Sequence, residues 1–207
     1  MPVHLVEHSL VTERLTRLRM VSTKRPDFRR TLSELSGFVL FDALRNIETT
    51  PIDIDTPLEP TTGSMVTNSP LLIPVMRAGL GMLDAALELL PESRVGFLGL
   101  KRDEETLLPH AYANTVPKDL HGQKCLVLDP MLATGGSLAH TVELLENANA
   151  GEITVACVLA SPEGLALMED RYPNVGVWTA AIDLALNDVG FIRPGLGDAG
   201  DRQFGLS

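Results

Sequence analysis

From about residue 70 onward the chain alternates two kinds of segment. PLLIPV, RVGFLGL, KCLVLD, EITVACVLA and VGVWTAAI are short, almost unbroken apolar runs. Between them lie GLGMLDAALELL, LAHTVELLENA and PEGLALMEDRY, whose apolar residues recur at helical spacing. A continuous apolar run of strand length fits a strand covered on both faces, and the intervening helices are what cover it. This alternation predicts an α/β fold: a parallel sheet with helices on both sides. In such sheets ligands bind beyond the carboxyl ends of the strands.

The remaining segments complete the plan. Helices are expected over 11–20 and 27–47, the second with Pro26 near its start, where a proline is tolerated. TTPIDIDTPLEPTTG reads as extended chain or a small hairpin, with Asp53 and Asp55 on its solvated face. HAYANTVP reads as an extended arm. With 207 residues, 44% of them hydrophobic, the chain supports one sizeable core. We therefore expect one domain over 1–207: N-terminal helices and an extended segment over 1–69, the α/β core over 70–183, and a terminal segment over 184–207.

Composition narrows the function. The net charge of -10 gives no basic field of the kind that nucleic-acid binders use against phosphate. No apolar run reaches the length of a membrane span, and the N-terminus lacks the apolar region of a signal peptide. Cys125 and Cys157 lie inside apolar runs, as buried reduced thiols do, which points to the cytoplasm. The five histidines show no ligand spacing.

Three stretches carry chemistry, each after a strand candidate. In LVLDPMLATGGS an apolar strand runs into Asp129, and the loop ends in Thr134-Gly135-Gly136-Ser137 at a helix start. Glycines let peptide N–H groups approach an anion, the hydroxyls add donors, and the helix dipole favours negative charge. This is a phosphate cradle, and it is not a Walker loop, because no lysine precedes the serine. Asp129 is suited to accept hydrogen bonds from a ribose diol. In PVMRAGLG, Arg77 sits between strand and helix, where its fork suits a diphosphate. In GLKRDEETLLPHAY, Arg102 is placed to close over a bound anion, and the three acids after it read as a solvated loop. A fourth stretch is puzzling. Gly195, Gly197 and Gly200 spell G-x-G-x-x-G, but only seven residues follow, which leaves no room for the helix of a dinucleotide-binding turn.

Together these stretches resemble the type I phosphoribosyltransferases, and within them the uracil phosphoribosyltransferase branch. VLDPMLATGGS looks like the family's signature for 5-phosphoribosyl 1-diphosphate (PRPP). Pro130 stands where most of the wider family has a second acid, and that departure marks the uracil branch. MRAGLGM, R-x-E-E-T and a terminal PGLGDAGDR-x-F-G are also present, in register over essentially the whole chain. The resemblance implies conversion of uracil and PRPP to UMP and diphosphate, with Mg2+ carried on PRPP and no direct metal ligand. It implies PRPP contacts from Arg77, Arg102, Asp129, Pro130, Met131, Leu132, Ala133, Thr134, Gly135, Gly136, Ser137 and Asp198. Ile192, Gly197, Asp198 and Ala199 would form the uracil pocket, and Asp129, Arg102 and Asp198 would serve catalysis. The β-arm and a C-terminal hood over the base site belong to the same expected architecture. Relatives form dimers or larger oligomers, and many are activated by GTP; no motif here reports on either. KRDEET departs from the Tyr-Arg-Asn common in relatives, and Arg193 stands where an apolar residue is common.

On this reading the terminal glycines serve base recognition. Uracil presents O2, N3–H and O4 along one edge, and peptide groups supply the complement when glycines let the backbone come close. A rival of another class, a phosphoribosyltransferase-like RNA-binding regulator of pyrimidine genes, is disfavoured by the net charge of -10.

Overall fold

A computed structural model describes residues 1–102 and 109–205; the side chains of 101, 102 and 109–111 also lie outside the described set. In chain order the elements are β1 (Val3–Leu5), α1 (Ser9–Arg19), α2 (Arg25–Ala43), β2 (Thr49–Asp55), β3 (Pro60–Val66), β4 (Leu71–Met76), α3 (Leu80–Leu89), β5 (Leu98–Arg102) and β6 (Pro109–Asn114). There follow β7 (Cys125–Leu128), β8 (Met131–Leu132), α4 (Gly136–Asn147), β9 (Ile153–Ala160), α5 (Pro162–Arg171), β10 (Gly176–Ile182), β11 (Ala185–Leu186), β12 (Ile192–Arg193) and α6 (Ala199–Phe204).

The main sheet has the order β1-β10-β9-β7-β4-β5-β6, with β8 paired beside β9. All of its pairings are parallel except β5 with β6. The apolar runs are therefore strands buried on both faces, as expected. Leu72, Leu126, Leu128, Ala156 and Val158 face a layer built by α1, α2 and α3. Their neighbours Leu71, Ile73, Val127, Val155 and Cys157 face α4 and α5. The N-terminal helices form part of the first layer: Leu18, Phe28, Leu32, Leu35, Val39 and Leu40 are fully buried.

The expectations need correction in detail. The second helix stops at Ala43, short of 47, because turn-type bonds take over, Arg45 N–H to Asp42 O and Ile47 N–H to Leu44 O. RVGFLGL is strand only from Leu98; before it, Val95 makes a single bridge to Leu72. TTPIDIDTPLEPTTG, read as extended chain or a small hairpin, agrees with the second of these: it is an antiparallel hairpin, β2 with β3. PMLATGGS is not all loop, since Met131 and Leu132 pair with Leu159 and Ala160. There is also room for a terminal helix. α6 occupies six residues, and Asp198 caps it by accepting the Asp201 N–H at 2.8 Å. The acids after Arg102 lie outside the described residues.

Among the described residues no helix is long and apolar enough to cross a membrane. Both cysteines are buried and free.

Candidate active site

The strand order reverses between β4 and β7. From β4 the chain proceeds to β5 on one side; from β7 it proceeds to β9 and β10 on the other. Helices leaving in opposite directions open a crevice at such a switch point. Arg77 follows β4 and Asp129 follows β7, so both stand at its mouth. The two turns approach closely. A Cβ on Gly79 would lie 2.2 Å from the Leu128 carbonyl oxygen, so only glycine fits there. Arg102 ends β5 at the same sheet edge, and its side chain is outside the described set.

The loop after Asp129, the expected phosphate cradle, is held from β9 and α5. The Pro130 carbonyl accepts N–H bonds from Val158 and Leu159, both at 3.0 Å, and Leu132 O accepts the Ser161 N–H at 2.9 Å. Ser161 is buried and does two jobs: its Oγ donates to Ala133 O at 2.6 Å and accepts the Gly164 N–H at 2.9 Å, capping α5. Gly135 is left-handed, at φ 82°, a conformation that favours glycine. It precedes α4, whose first-turn amides receive no side-chain cap. A concavity of about 180 Å3 results, lined by Asp129, Met131, Leu132, Ala133, Thr134, Gly135, Ser137, Leu138 and Gly190. Free amides at a helix start, exposed Thr134 and Ser137, and a space of this size suit a phosphate group. A larger concavity of about 500 Å3 lies at the opposite, amino edge of the sheet, around Lys124, Glu152 and Trp178, away from these loops.

Asp129 is buried, and its Oδ1 accepts the Met131 N–H at 3.3 Å. Burial pushes its carboxyl up to about 7, and the single amide bond only partly opposes this. A carboxylate with so little internal compensation is one that a bound diol would stabilise.

The terminal segment folds back over this edge. β11 and β12 form a short hairpin whose turn is fixed by Asn187: its Oδ1 accepts the Val189 and Phe191 amides. That turn carries Gly190 to the phosphate loop. α6 reaches the β4 loop, where Asp201 lies 3.3 Å from the Arg77 guanidinium and Gln203 donates to Ala78 O at 3.0 Å. The segment thus brings the β4 and β7 loops under one roof.

Of the residues expected to meet uracil, Ile192 and Ala199 point their side chains into the core, while Gly197 and Asp198 are exposed. Gly197 is left-handed at φ 80°. Among the described residues nothing hydrogen-bonds its peptide N–H or carbonyl. Arg193 is exposed, and its carbonyl accepts the Leu184 N–H within the hairpin.

Sequence reasoning missed the residues that hold this roof down. Arg202 lies over the Phe28 ring at 4.3 Å and donates to the carbonyls of Leu18, Met20 and Leu196. Arg19, half-buried, and Asp183, buried, form an ion pair beneath Gly195. The R in GDR was legible as part of a motif, but two of its carbonyl partners, Leu18 and Met20, lie at the far-off end of α1, which no local pattern could reveal.

A parallel sheet with a glycine-rich loop at its switch point, roofed by a C-terminal segment, is the architecture of the type I phosphoribosyltransferases. A purine phosphoribosyltransferase from Pyrococcus horikoshii shares the fold, with a TM-score of 0.50 at 16% identity over 76% of this chain and 93% of its own. The chain belongs to the uracil phosphoribosyltransferase family, whose model matches residues 5–206. A uracil phosphoribosyltransferase from Nocardioides sp. is 48% identical over 211 residues, covering 100% of this chain and 99% of its own length. The AQ2163 protein from Aquifex aeolicus superposes with a TM-score of 0.91 at 35% identity, covering 99% of both chains.

Proposed function

We propose that the chain catalyses the reaction of uracil with PRPP to give UMP and diphosphate, a pentosyl transfer of pyrimidine salvage. One observation carries the reading: a phosphate loop and a glycine-rich terminal roof meet at the sheet edge, in a chain that matches this family over 5–206. The same relatives give no support to an RNA-binding regulator.

In this reading the ribose 5-phosphate sits in the concavity of residues 129–137, on the uncapped amides of α4, with Asp129 on the ribose hydroxyls. Arg77 and Arg102 hold the diphosphate. Gly197 and its neighbours bind uracil through peptide groups. The reaction is a displacement at the anomeric carbon: uracil N1 bonds to that carbon as its bond to diphosphate breaks, positive charge builds on the ribose, and the N1 proton leaves with the diphosphate or to water. The arginines stabilise the leaving group's negative charge, and the roof aligns the base with the sugar. In this reading a divalent ion arrives on PRPP and takes most of its donors from it. Asp198, exposed beside the roof, is the carboxylate suited to face that ion's water shell. Mg2+ would supply charge neutralisation on the diphosphate.

The wider expectations belong to the same reading. The chain works as one domain, with 184–207 as the hood, in the cytoplasm, where Cys125 and Cys157 stay reduced. It assembles as a homo-oligomer, a view supported by the exposed Ile52, Ile54, Met65 and Val66 on the β2–β3 hairpin. GTP activation rests on family resemblance alone.

The test is to incubate the protein with PRPP, Mg2+ and a panel of free bases, and to identify the nucleotide formed. UMP from uracil alone is expected. A purine nucleotide, or no nucleotide, overturns the reading.

A further inference from the structure

Asp183 is a buried carboxylate that the proposed reaction does not use. It follows β10, is 9% exposed, and belongs to none of the recognised motifs. Arg19, the last residue of α1, donates to both of its oxygens, at 2.7 and 2.6 Å. The same Asp183 Oδ2 accepts the Gly195 N–H at 2.8 Å, and Arg19 also donates to the Gly195 carbonyl at 2.8 Å. Gly195 is thus gripped on both its amide and its carbonyl side by one ion pair.

The grip acts on a backbone with little freedom. Gly195 is left-handed at φ 62°, and a Cβ there would lie 2.1 Å from the Ile192 carbonyl oxygen. The next carbonyl along, that of Leu196, is held by Arg202 at 2.8 Å. The chain is then released at Gly197, whose peptide groups have no partner among the described residues. Ordered peptides therefore lead directly into unpartnered ones, at the point where a base edge would be read.

We propose that Arg19 and Asp183 are positioning residues for base recognition: a fork from α1 and a carboxylate from the end of β10 set the orientation of the peptides at 197–199 without touching the substrate. The proposal rests on the base-site reading above. A fork is required, because one guanidinium serves both carboxylate oxygens and a peptide carbonyl, which a lysine ammonium at the end of a flexible stem does not reproduce. Peptide recognition tolerates little displacement, since a hydrogen bond weakens steeply as its angle falls. Among the described residues the side chains of the pair hydrogen-bond each other and Gly195, and neither bonds the phosphate loop or Arg77, so the effect should fall on uracil and spare PRPP.

The experiment uses the full chain with Arg19→Lys and, separately, Asp183→Asn. Arg19→Lys keeps the buried carboxylate compensated, so it remains folded even if Asp183→Asn does not. Circular dichroism checks folding, calorimetry gives the dissociation constant of Mg-PRPP, and steady-state assays at saturating PRPP give KM and kcat for uracil. Uracil KM should rise on the order of 10- to 100-fold, the loss expected for hydrogen bonds to charged groups. kcat should fall less, and Mg-PRPP affinity should stay within about threefold. A folded Arg19→Lys protein with the wild-type KM for uracil overturns the proposal. So does an equal weakening of uracil and Mg-PRPP, which would indicate general collapse of the edge. If wild type forms no UMP, the base-site reading fails and this proposal fails with it.

Discussion

Arg77 and Asp201 are 124 residues apart in the chain, and their side chains meet at 3.3 Å, joining the β4 loop to the terminal helix. The arginine that suits a diphosphate therefore already has an anionic partner in the roof. The pair is partly exposed, at 43% and 29%, so water screens it and its strength is modest. A diphosphate, with far more negative charge, should displace the carboxylate.

Removing each partner should accordingly have opposite consequences. Arg77→Ala should weaken Mg-PRPP on the order of 10- to 100-fold, the value of a charged hydrogen-bond partner. Asp201→Asn should leave affinity unchanged or tighten it by up to about fivefold, since an exposed pair contributes about 1 kcal/mol or less. Calorimetric titration with Mg-PRPP checks both. A large loss in Asp201→Asn would show the carboxylate to be part of the binding site.

Asp129 should trade stability against function. Its carboxyl is raised from an ordinary 3.8 to about 7 by burial. In the ligand-free protein the folded state then keeps a proton that the unfolded chain releases, so stability falls as pH rises from roughly 4 to 7. Asp129→Asn removes this dependence. The variant should melt at a higher temperature relative to wild type at about pH 8 than at about pH 5. Its kcat/KM should drop by on the order of 1.5–3 kcal/mol, from loss of the charged acceptor. Parallel melting profiles for the two proteins, or wild-type kinetics, would contradict the assignment.

Ser161 supports the phosphate loop from beneath through Ala133 O while capping α5. Ser161→Ala should cost about 1 kcal/mol of stability, as lost caps do. It should also raise KM for PRPP more than for uracil, because the loop it braces is the one proposed to hold the sugar phosphate. Chemical denaturation and two-substrate kinetics measure these separately; a change confined to stability would reduce Ser161 to a helix cap.

Base choice should reside in the roof. Cytosine replaces uracil's O4 with an amino donor and its N3–H with an acceptor, reversing two positions against fixed peptides. A site built to hydrogen-bond one pattern rejects a mismatched analogue by roughly 10⁴–10⁵. Gly197→Val should damage uracil use, because the left-handed φ of 80° strains a β-branched residue. Mg-PRPP binding should persist. Efficient use of cytosine by wild type, or unaltered uracil kinetics in the variant, would sink peptide recognition at 197.

Much of this molecule is legible locally. β4, β7, β9 and β10 show in the sequence because a strand covered on both faces must be apolar at successive positions. Asp129 and Arg77 stand out because each ends such a run. The elements that escaped notice are those with no energy of their own. β1 has three exposed residues held along β10, and α6 is only six residues long, fewer than an isolated helix needs. α6 exists because Asp198 caps it, Arg29 donates to Gln203 O at 3.1 Å, and Gln203 bonds Ala78 O. Each of the last two contacts joins distant parts of the chain.

The sequence by itself therefore determined the layered sheet and the glycine-rich loops at its carboxyl edge, since burial pattern and glycine placement are local properties. Only the tertiary structure decided that Arg77 faces Asp201, that Gly190 closes the phosphate concavity, and that Arg19 and Asp183 clamp Gly195. Such pairings depend on which surfaces the sheet brings together: a side chain's charge is written in the sequence, and its partner is chosen by packing.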